Sequence, residues 1–458
     1  MLSPDIAHVP QAKPFLATTA QFACGQDTPR AFLERCLDAL AIWEPKIGAF
    51  VHTDLDGARA AADASSMRWR NNKPLSAIDG MPVGIKDIIE TADMPTEMGS
   101  PLFDGWRSGR DAAAVAALRE AGAVILGKTV TTEFAATEPR GTRNPWDLAR
   151  TPGGSSSGSA AAVATGLVSA ALGTQLMGSI VRPASYCGCV GFKPTVGGIN
   201  RGGSHDNFSQ SCMGVLAATL EDAWQVACEI AARVGGDPGY PGLVGPLRVP
   251  SAAKPQRLVF LETAGWQVAS PEAKQAFQES IALLSRDGID IVTRQSDRLV
   301  GTVEEAIANA RALSVRINAW ESRWPLNTYR NRDAGKLSRA MLTRLAQAEA
   351  MGLDDYRAGL DERIRVRALY NSLAAQCDAC VTLAAPAAAP IGLGSTGDPV
   401  FAVPSSLLGV PAISLPLLHE QGLPLGFQVI GFNGKDAGAV ATAGWIEKTC
   451  EPANGRNE

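Results

Sequence analysis

Lys86 lies in the run Met81-Pro82-Val83-Gly84-Ile85-Lys86-Asp87-Ile88-Ile89, where an amine among apolar neighbours is costly to keep charged. Burial there lowers a lysine pKa and favours the neutral amine, which can accept a proton. If the run is extended, side chains alternate and Asp87 points away from Lys86, so the nearest carboxylate does not pair with it. Taken alone, such a lysine is by default a snorkelling one beside a surface aspartate. Hydroxyls that such a base could serve stand in two clusters, Gly153-Gly154-Ser155-Ser156-Ser157-Gly158 and Gly178-Ser179. The first is followed at once by the helix formers Ala160-Ala161-Ala162-Val163, which argues against a flexible Gly/Ser linker.

Other motifs mislead. Gly122 to Thr129 fits the phosphate-loop pattern G-x-x-x-x-G-K-T, but a helix precedes it and its four middle residues are strand formers. Gly154-Ser155-Ser156-Ser157-Gly158 fits the nucleophile elbow G-x-S-x-G, with His205 or His419 downstream as a base. An elbow needs a buried strand immediately before it, and Asn144 to Pro152 is turn-like; a Ser-His-Asp esterase is therefore the runner-up. The 4 histidines, His8, His52, His205 and His419, are too scattered for a multi-histidine metal centre. Cys377 and Cys380 form a lone C-x-x-C in an apolar run, better read as thiols on a buried strand than as a metal or redox pair.

Three ordered blocks remain: Lys86 in its apolar setting; Gly153 to Val163; and Gly178-Ser179 followed by Arg182-Pro183-Ala184-Ser185-Tyr186-Cys187-Gly188. Together they resemble the amidase signature family. Ser155 and Ser179 are 24 residues apart, the spacing that family keeps between its relay serine and its nucleophile. Further matches run from Ile47 to Thr195 and reappear at Ser395-Thr396-Gly397-Asp398-Pro399 and Leu423-Pro424-Leu425-Gly426-Phe427. The nearest subgroup is malonamidase-like, with arginine at the third position after the nucleophile, as Arg182 follows Ser179.

The resemblance implies a Ser-cis-Ser-Lys triad in which neutral Lys86 takes the proton of Ser155, and Ser155 that of Ser179, which attacks a carbonyl. It implies an oxyanion site made of the backbone N–H groups of Leu176, Met177, Gly178 and Ser179. Arg182, Gln175 and Ser156 become candidate substrate-binding residues, with Arg182 receiving a substrate carboxylate or held in an ion pair inside the fold. Leu176 and Met177 replace the Gly or Thr of most relatives. A positive φ at Met177 would be strained, and the pair would line the pocket mouth with apolar surface that favours bulky or aromatic substrates. Trp106, Trp146 and Trp320 are further candidates for pocket walls. The implied activity is amidohydrolysis of carboxamides, anilides or carbamates through an acyl-enzyme, without metal or cofactor. An amidase subunit of a glutamine-dependent assembly is an alternative, weakened by the lack of an appended domain or charged tail.

The elements that must position these groups alternate between helix and short apolar strand, which argues an α/β fold. The resemblance makes it a large mixed central sheet covered by helices on both faces. Thr28-Pro29 reads as a cap and first turn opening a helix. The pattern then predicts a strand at 47–52, a helix at 58–70, a strand or buried loop at 82–89, a helix at 111–121 and a strand at 123–126. Gly235 to Pro255 reads as a surface connection, and Val303 to Ala375 as a helical insertion that walls or covers a pocket. Strands return at 379–383, 412–417 and 427–430, with a closing helix at 437–448. The expectation is a single domain over 1–458, with core at 28–235 and 376–450 and the insertion at 303–375.

The chain has 458 residues, 46% hydrophobic and 19% charged, so it is neither disordered nor fibrous. A net charge of −4 with no basic stripe argues against nucleic acid as a partner. Thr151 to Val181 carries no charge over 31 residues, yet its Gly, Ser, Thr and Gln content fits a buried core segment better than a membrane span. The odd count of 9 cysteines and the absence of a signal-like apolar stretch in Met1 to Pro10 point to a reducing, cytoplasmic setting. Partners are then a small amide or carbamate and water, with no membrane; a homodimer is an assembly open to it.

Overall fold

The computed structural model describes residues 9–450, so His8 and most of the Met1 to Pro10 segment lie outside the described residues. Eleven strands form one mixed sheet: β1 (Phe50–Thr53), β2 (Pro82–Lys86), β3 (Val124–Thr129), β4 (Ala170–Gln175), β5 (Val190–Lys193), β6 (Cys212–Ala217), β7 (Arg257–Phe260), β8 (Asp290–Val292), β9 (Ala379–Leu383), β10 (Ala412–Glu420) and β11 (Leu423–Ile430). Their order across the sheet is β1-β3-β2-β4-β6-β5-β10-β11-β9-β7-β8. Strand β2, third from one edge, runs parallel to both β3 and β4, with Lys86 opposite Thr129 and Ile85 opposite Leu172.

Alternation along these strands feeds two cores. Ile125, Ala170 and Leu172 join one apolar cluster, with Val83, Ile85 and Trp224, while Val124, Leu126 and Ala171 join another, with Leu33, Trp43 and Ala160 to Ala164. Helices therefore cover both faces. The first long helix, Pro29–Ile47, begins as its sequence predicts: the Thr28 side chain accepts from Ala31 N–H, with Pro29 in the first turn. It runs through Pro45 to Ile47 and closes at Gly48 in the left-handed region, which displaces the strand expected at 47–52 to Phe50–Thr53. The helix expected at 58–70 starts three residues earlier, at Leu55, because Asp54 caps it by accepting from Gly57 N–H.

Between Val234 and Arg257 there is no helix or strand, as the Gly and Pro content predicts. The chain leaves the sheet after β8 and returns at β9, and the interval is helical: Arg298–Ile307, Ala310–Asp333, Arg339–Glu349 and Leu353–Asn371. The uncharged Thr151 to Val181 stretch folds as a short buried helix, Ser157–Ala164, and strand β4. Among the described residues no helix is long and apolar enough to cross a membrane. All nine cysteines are unpaired, and Cys380 is buried on β9.

Candidate active site

The end of β2 delivers Lys86 into the protein interior with no solvent exposure. Its Nζ lies 2.7 Å from Ser155 Oγ and 2.8 Å from Thr174 Oγ1 on neighbouring β4. Burial pushes its pKa down to about 7, against the pull of the Asp206 carboxylate. Asp87 turns to the opposite side, 3.3 Å from Lys128 and accepting from Glu97 N–H. Lys128 closes the phosphate-loop look-alike as the penultimate residue of β3, buried and also bonded to Ile89 O and Thr96 Oγ1. No convergent loop exists there to cradle a phosphate.

Ser155 follows a cis Gly154–Ser155 peptide bond. The Gly154 carbonyl accepts from Arg182 Nη2 at 2.6 Å, which ties this loop to the helix Val181–Cys187 that follows Ser179. Ser179 itself sits on the turn after β4, 8% exposed, and lines a cavity of about 350 Å³ with Met177, Gly178, Arg182, Arg344 and Thr396. Its hydroxyl makes no hydrogen bond to Ser155; in hydrolases such contacts often tighten only in the substrate complex.

The turn is braced from below. Gln175 Oε1 accepts from Ile180 N–H at 2.8 Å and Val181 N–H at 2.9 Å, while its Nε2 donates to Ser406 Oγ. Gln210 Nε2 donates to Leu176 O at 2.9 Å. With these bonds in place, the N–H groups of Leu176, Met177, Gly178 and Ser179 donate to nothing among the described residues. That is the condition for a preorganised anion site. Neither Leu176 nor Met177 has a positive φ, so the side chains at 176 and 177 are accommodated without left-handed backbone.

The residues singled out from sequence separate into two groups. Lys86 and Ser155 are in direct contact, while Ser179, the turn residues and Arg182 border one cavity. Gln175 and Ser156 lie beneath that cavity: Gln175 holds the turn, and Ser156 Oγ donates to Thr174 O. Neither side chain faces a substrate there. Arg182 has no carboxylate partner among the described residues; it bonds to Gly154 O and Thr396 Oγ1, and its Nε has no partner. The internal ion pair that is one of its two sequence readings does not form.

His205 is bonded to Glu90 at 3.0 Å and His419 is exposed on β10, so neither approaches Ser156 as a general base. Trp106 packs on Phe103 and His205, and Trp146 donates to Cys187 O. Trp320 borders a separate open cleft, so none of the three walls the Ser179 cavity. Thr174, Gln210 and Arg344 belong to the site although the sequence reading does not reach them. Each is supplied by a different element, and no local pattern marks it.

The site joins a buried amine in contact with Ser155 to a cavity lined by Ser179 and a turn of free N–H groups, a set suited to acyl transfer at a carbonyl. The chain belongs to the amidase family, the amidase signature enzymes: the family model, described as Amidase, matches residues 31–440. Among curated proteins it is 33% identical over 455 residues to the A subunit of the glutamyl-tRNA(Gln) amidotransferase of Chloroflexus aggregans, covering 91% of this chain and 92% of that one. The corresponding protein of Roseiflexus castenholzii is 34% identical over 471 residues, covering 92% and 91%. Among solved structures, an amidase superposes with a TM-score of 0.82 at 27% identity, covering 96% of this chain and all of that one. The native peptide amidase from Stenotrophomonas maltophilia gives 0.76 at 26% identity, covering 94% and 96%.

Proposed function

We propose that this chain hydrolyses the C–N bond of carboxamides, anilides or carbamates through Lys86, Ser155 and Ser179. Neutral Lys86 takes the Ser155 proton as Ser155 Oγ takes that of Ser179, whose oxygen attacks the substrate carbonyl carbon. The free N–H groups of residues 176–179 meet the negative charge that develops on the carbonyl oxygen. The proton returns along the same path to the nitrogen, the C–N bond breaks, and the amine leaves an acyl group on Ser179. Water, deprotonated by the same relay, then releases the acid. The observation that carries this reading is the buried Lys86 amine, 2.7 Å from Ser155 Oγ with no carboxylate in contact.

The test is intact-mass detection of a single adduct on Ser179 after treatment with a sulfonylating reagent, present in the native protein and absent from Lys86→Ala. Adduct formation at native rate in Lys86→Ala sinks the relay. Paired assays with a 4-nitroanilide and an aryl carbamate decide between the amide and urethane chemistries, and inactivity on both removes the aryl preference suggested by Leu176 and Met177.

The resemblance to the A subunits of amidotransferases favours a second reading, in which the chain supplies ammonia to partner subunits. Turnover by the isolated chain after size exclusion makes such partners unnecessary; turnover that appears on adding them establishes this alternative.

A further inference from the structure

The Ser179 cavity and a second one of about 530 Å³ share Met177 and Arg344 in their walls, so the two meet there. The second lies against one face of the helix Arg339–Glu349, which presents Arg339, Ala340, Thr343, Arg344 and Gln347 at helical spacing. Charge in these walls is one-sided. Arg182, Arg311 and Arg344 line the Ser179 cavity with Glu138, and Arg339 and Arg344 line the second cavity with no acid at all. Three of these guanidiniums are provided for. Arg311 pairs with Asp398 at 3.1 Å, Arg182 Nη2 is held by Gly154 O and Thr396 Oγ1, and Arg339 is exposed to water. Arg344 is not: its Cζ lies 5.5 Å from the centre of the Phe208 ring, and the guanidinium makes no hydrogen bond or ion pair to any described residue. Burial holds its pKa below the ordinary value, against the pull of the Asp206 carboxylate, which stays outside ion-pair distance. A desolvated cation without a hydrogen-bonded counter-charge is costly to the folded state, and a ligand that brings the anion offsets that cost. The planar guanidinium fork matches a carboxylate through two parallel bonds.

We infer that the substrate carries a carboxylate, set off from the scissile bond by an apolar segment that rests on Met177, and that Arg344 is the specificity residue that receives it. The inference rests on Ser179 as the reacting residue, since only then does Arg344 border the bond being cleaved. It moves the anion contact from Arg182, where the family resemblance places it, to the helical insertion. With Glu138 the one acid in either wall, the site suits an anion rather than a zwitterion.

The experiment uses Ser179→Ala protein, so that ligands bind without turnover, and calorimetric Kd values for two amides of equal length. One ends in a carboxylate and the other in a nitro group, which is planar and similar in shape but uncharged. Each is made with the arm on the acyl side and on the amine side. The carboxylate is expected to bind about tenfold tighter in one of the two series, and Arg344→Met to erase that ratio while leaving the Kd of the nitro compound unchanged. Arg339→Met, which removes the exposed guanidinium of the second cavity, is expected to keep the ratio.

A third ligand, with an ammonium beside the carboxylate, should bind more weakly than the carboxylate alone. A ratio near one in both series, a ratio unchanged by Arg344→Met or lost in Arg339→Met, or tighter binding of the zwitterion overturns the inference. Should Arg344→Met fail to fold, Arg344→Gln, polar but uncharged, decides by the same ratio. Turnover of a short neutral amide by the native enzyme is scored separately: its absence refutes the Ser179 reading, whereas the Kd ratio addresses the carboxylate.

Discussion

Lys86→Met is expected to fold and to lose roughly four orders of magnitude in kcat/KM, in line with removal of the base from a serine-hydrolase relay. Methionine keeps the volume of the side chain and gives up the bonds to Ser155 and Thr174. In the native enzyme kcat/KM should rise about tenfold per pH unit below about 7, where the folded-state amine is still charged, and level off above it. A profile flat from slightly acid to alkaline pH refutes Lys86 as the base. Stability supplies an independent check. The folded pKa is depressed from 10.5 to about 7, so between those values the unfolded chain binds the proton that the folded chain has released. Folding stability from this group therefore rises with pH across that window and is lowest below it, where a buried ammonium must be tolerated. Melting temperatures at pH 6 should place Lys86→Met at or above native, with the advantage shrinking towards pH 10. A variant that melts well below native at pH 6 contradicts the idea that the charge is held at a cost.

Gly158→Ala is expected to be the most damaging single methyl in the molecule's serine-rich segment. A side chain there would stand inside contact distance of the Ala49 carbonyl oxygen and the Val130 nitrogen, both backbone atoms with no freedom to swing aside. The Gly158 N–H also donates to Val130 O at 3.0 Å, so the start of the helix Ser157–Ala164 is pressed directly against the end of β3. Forcing these apart should cost about 3 kcal/mol or more and shift the Ser155 loop away from Lys86. Urea denaturation should show a large fall in midpoint, and residual folded protein should have lost most of its activity. An unfolding free energy within about 0.5 kcal/mol of native means the backbone yields where the packing says it does not.

How far the sequence reveals this site depends on whether each residue's role is local. Lys86 is legible because an amine in an apolar strand is unusual in itself, and the two serines because their glycine-rich surroundings fit neither a linker nor an ordinary helix start. The same local reading rejects the phosphate loop, since Val124 to Leu126 are strand formers, and the structure continues that strand through Lys128. Gln175 and Ser156 fail the same kind of reading: polar residues beside a catalytic turn resemble ligands, and burial beneath the turn makes them supports instead. Gln210 and Arg344 come to the site from a loop and an insertion helix, and nothing within their own segments signals where the chain will carry them. The first strand is expected too early for a simpler reason. Pro45 lies inside the helix rather than ending it, so the helix reaches Ile47 and the strand starts later.

The opposed orientation of Lys86 and Asp87 has a consequence for how this segment can change over evolutionary time. Because faces alternate with a period of two, deleting one residue before Lys86 would bring the Asp87 carboxylate to the place facing Ser155, whereas inserting one would put Ile85 there and turn the Lys86 amine towards Lys128. A change of two residues restores the face but carries the amine about 6.6 Å along the strand, so any length change within Pro82–Lys86 parts it from Ser155, and natural variants with one there should be inactive descendants.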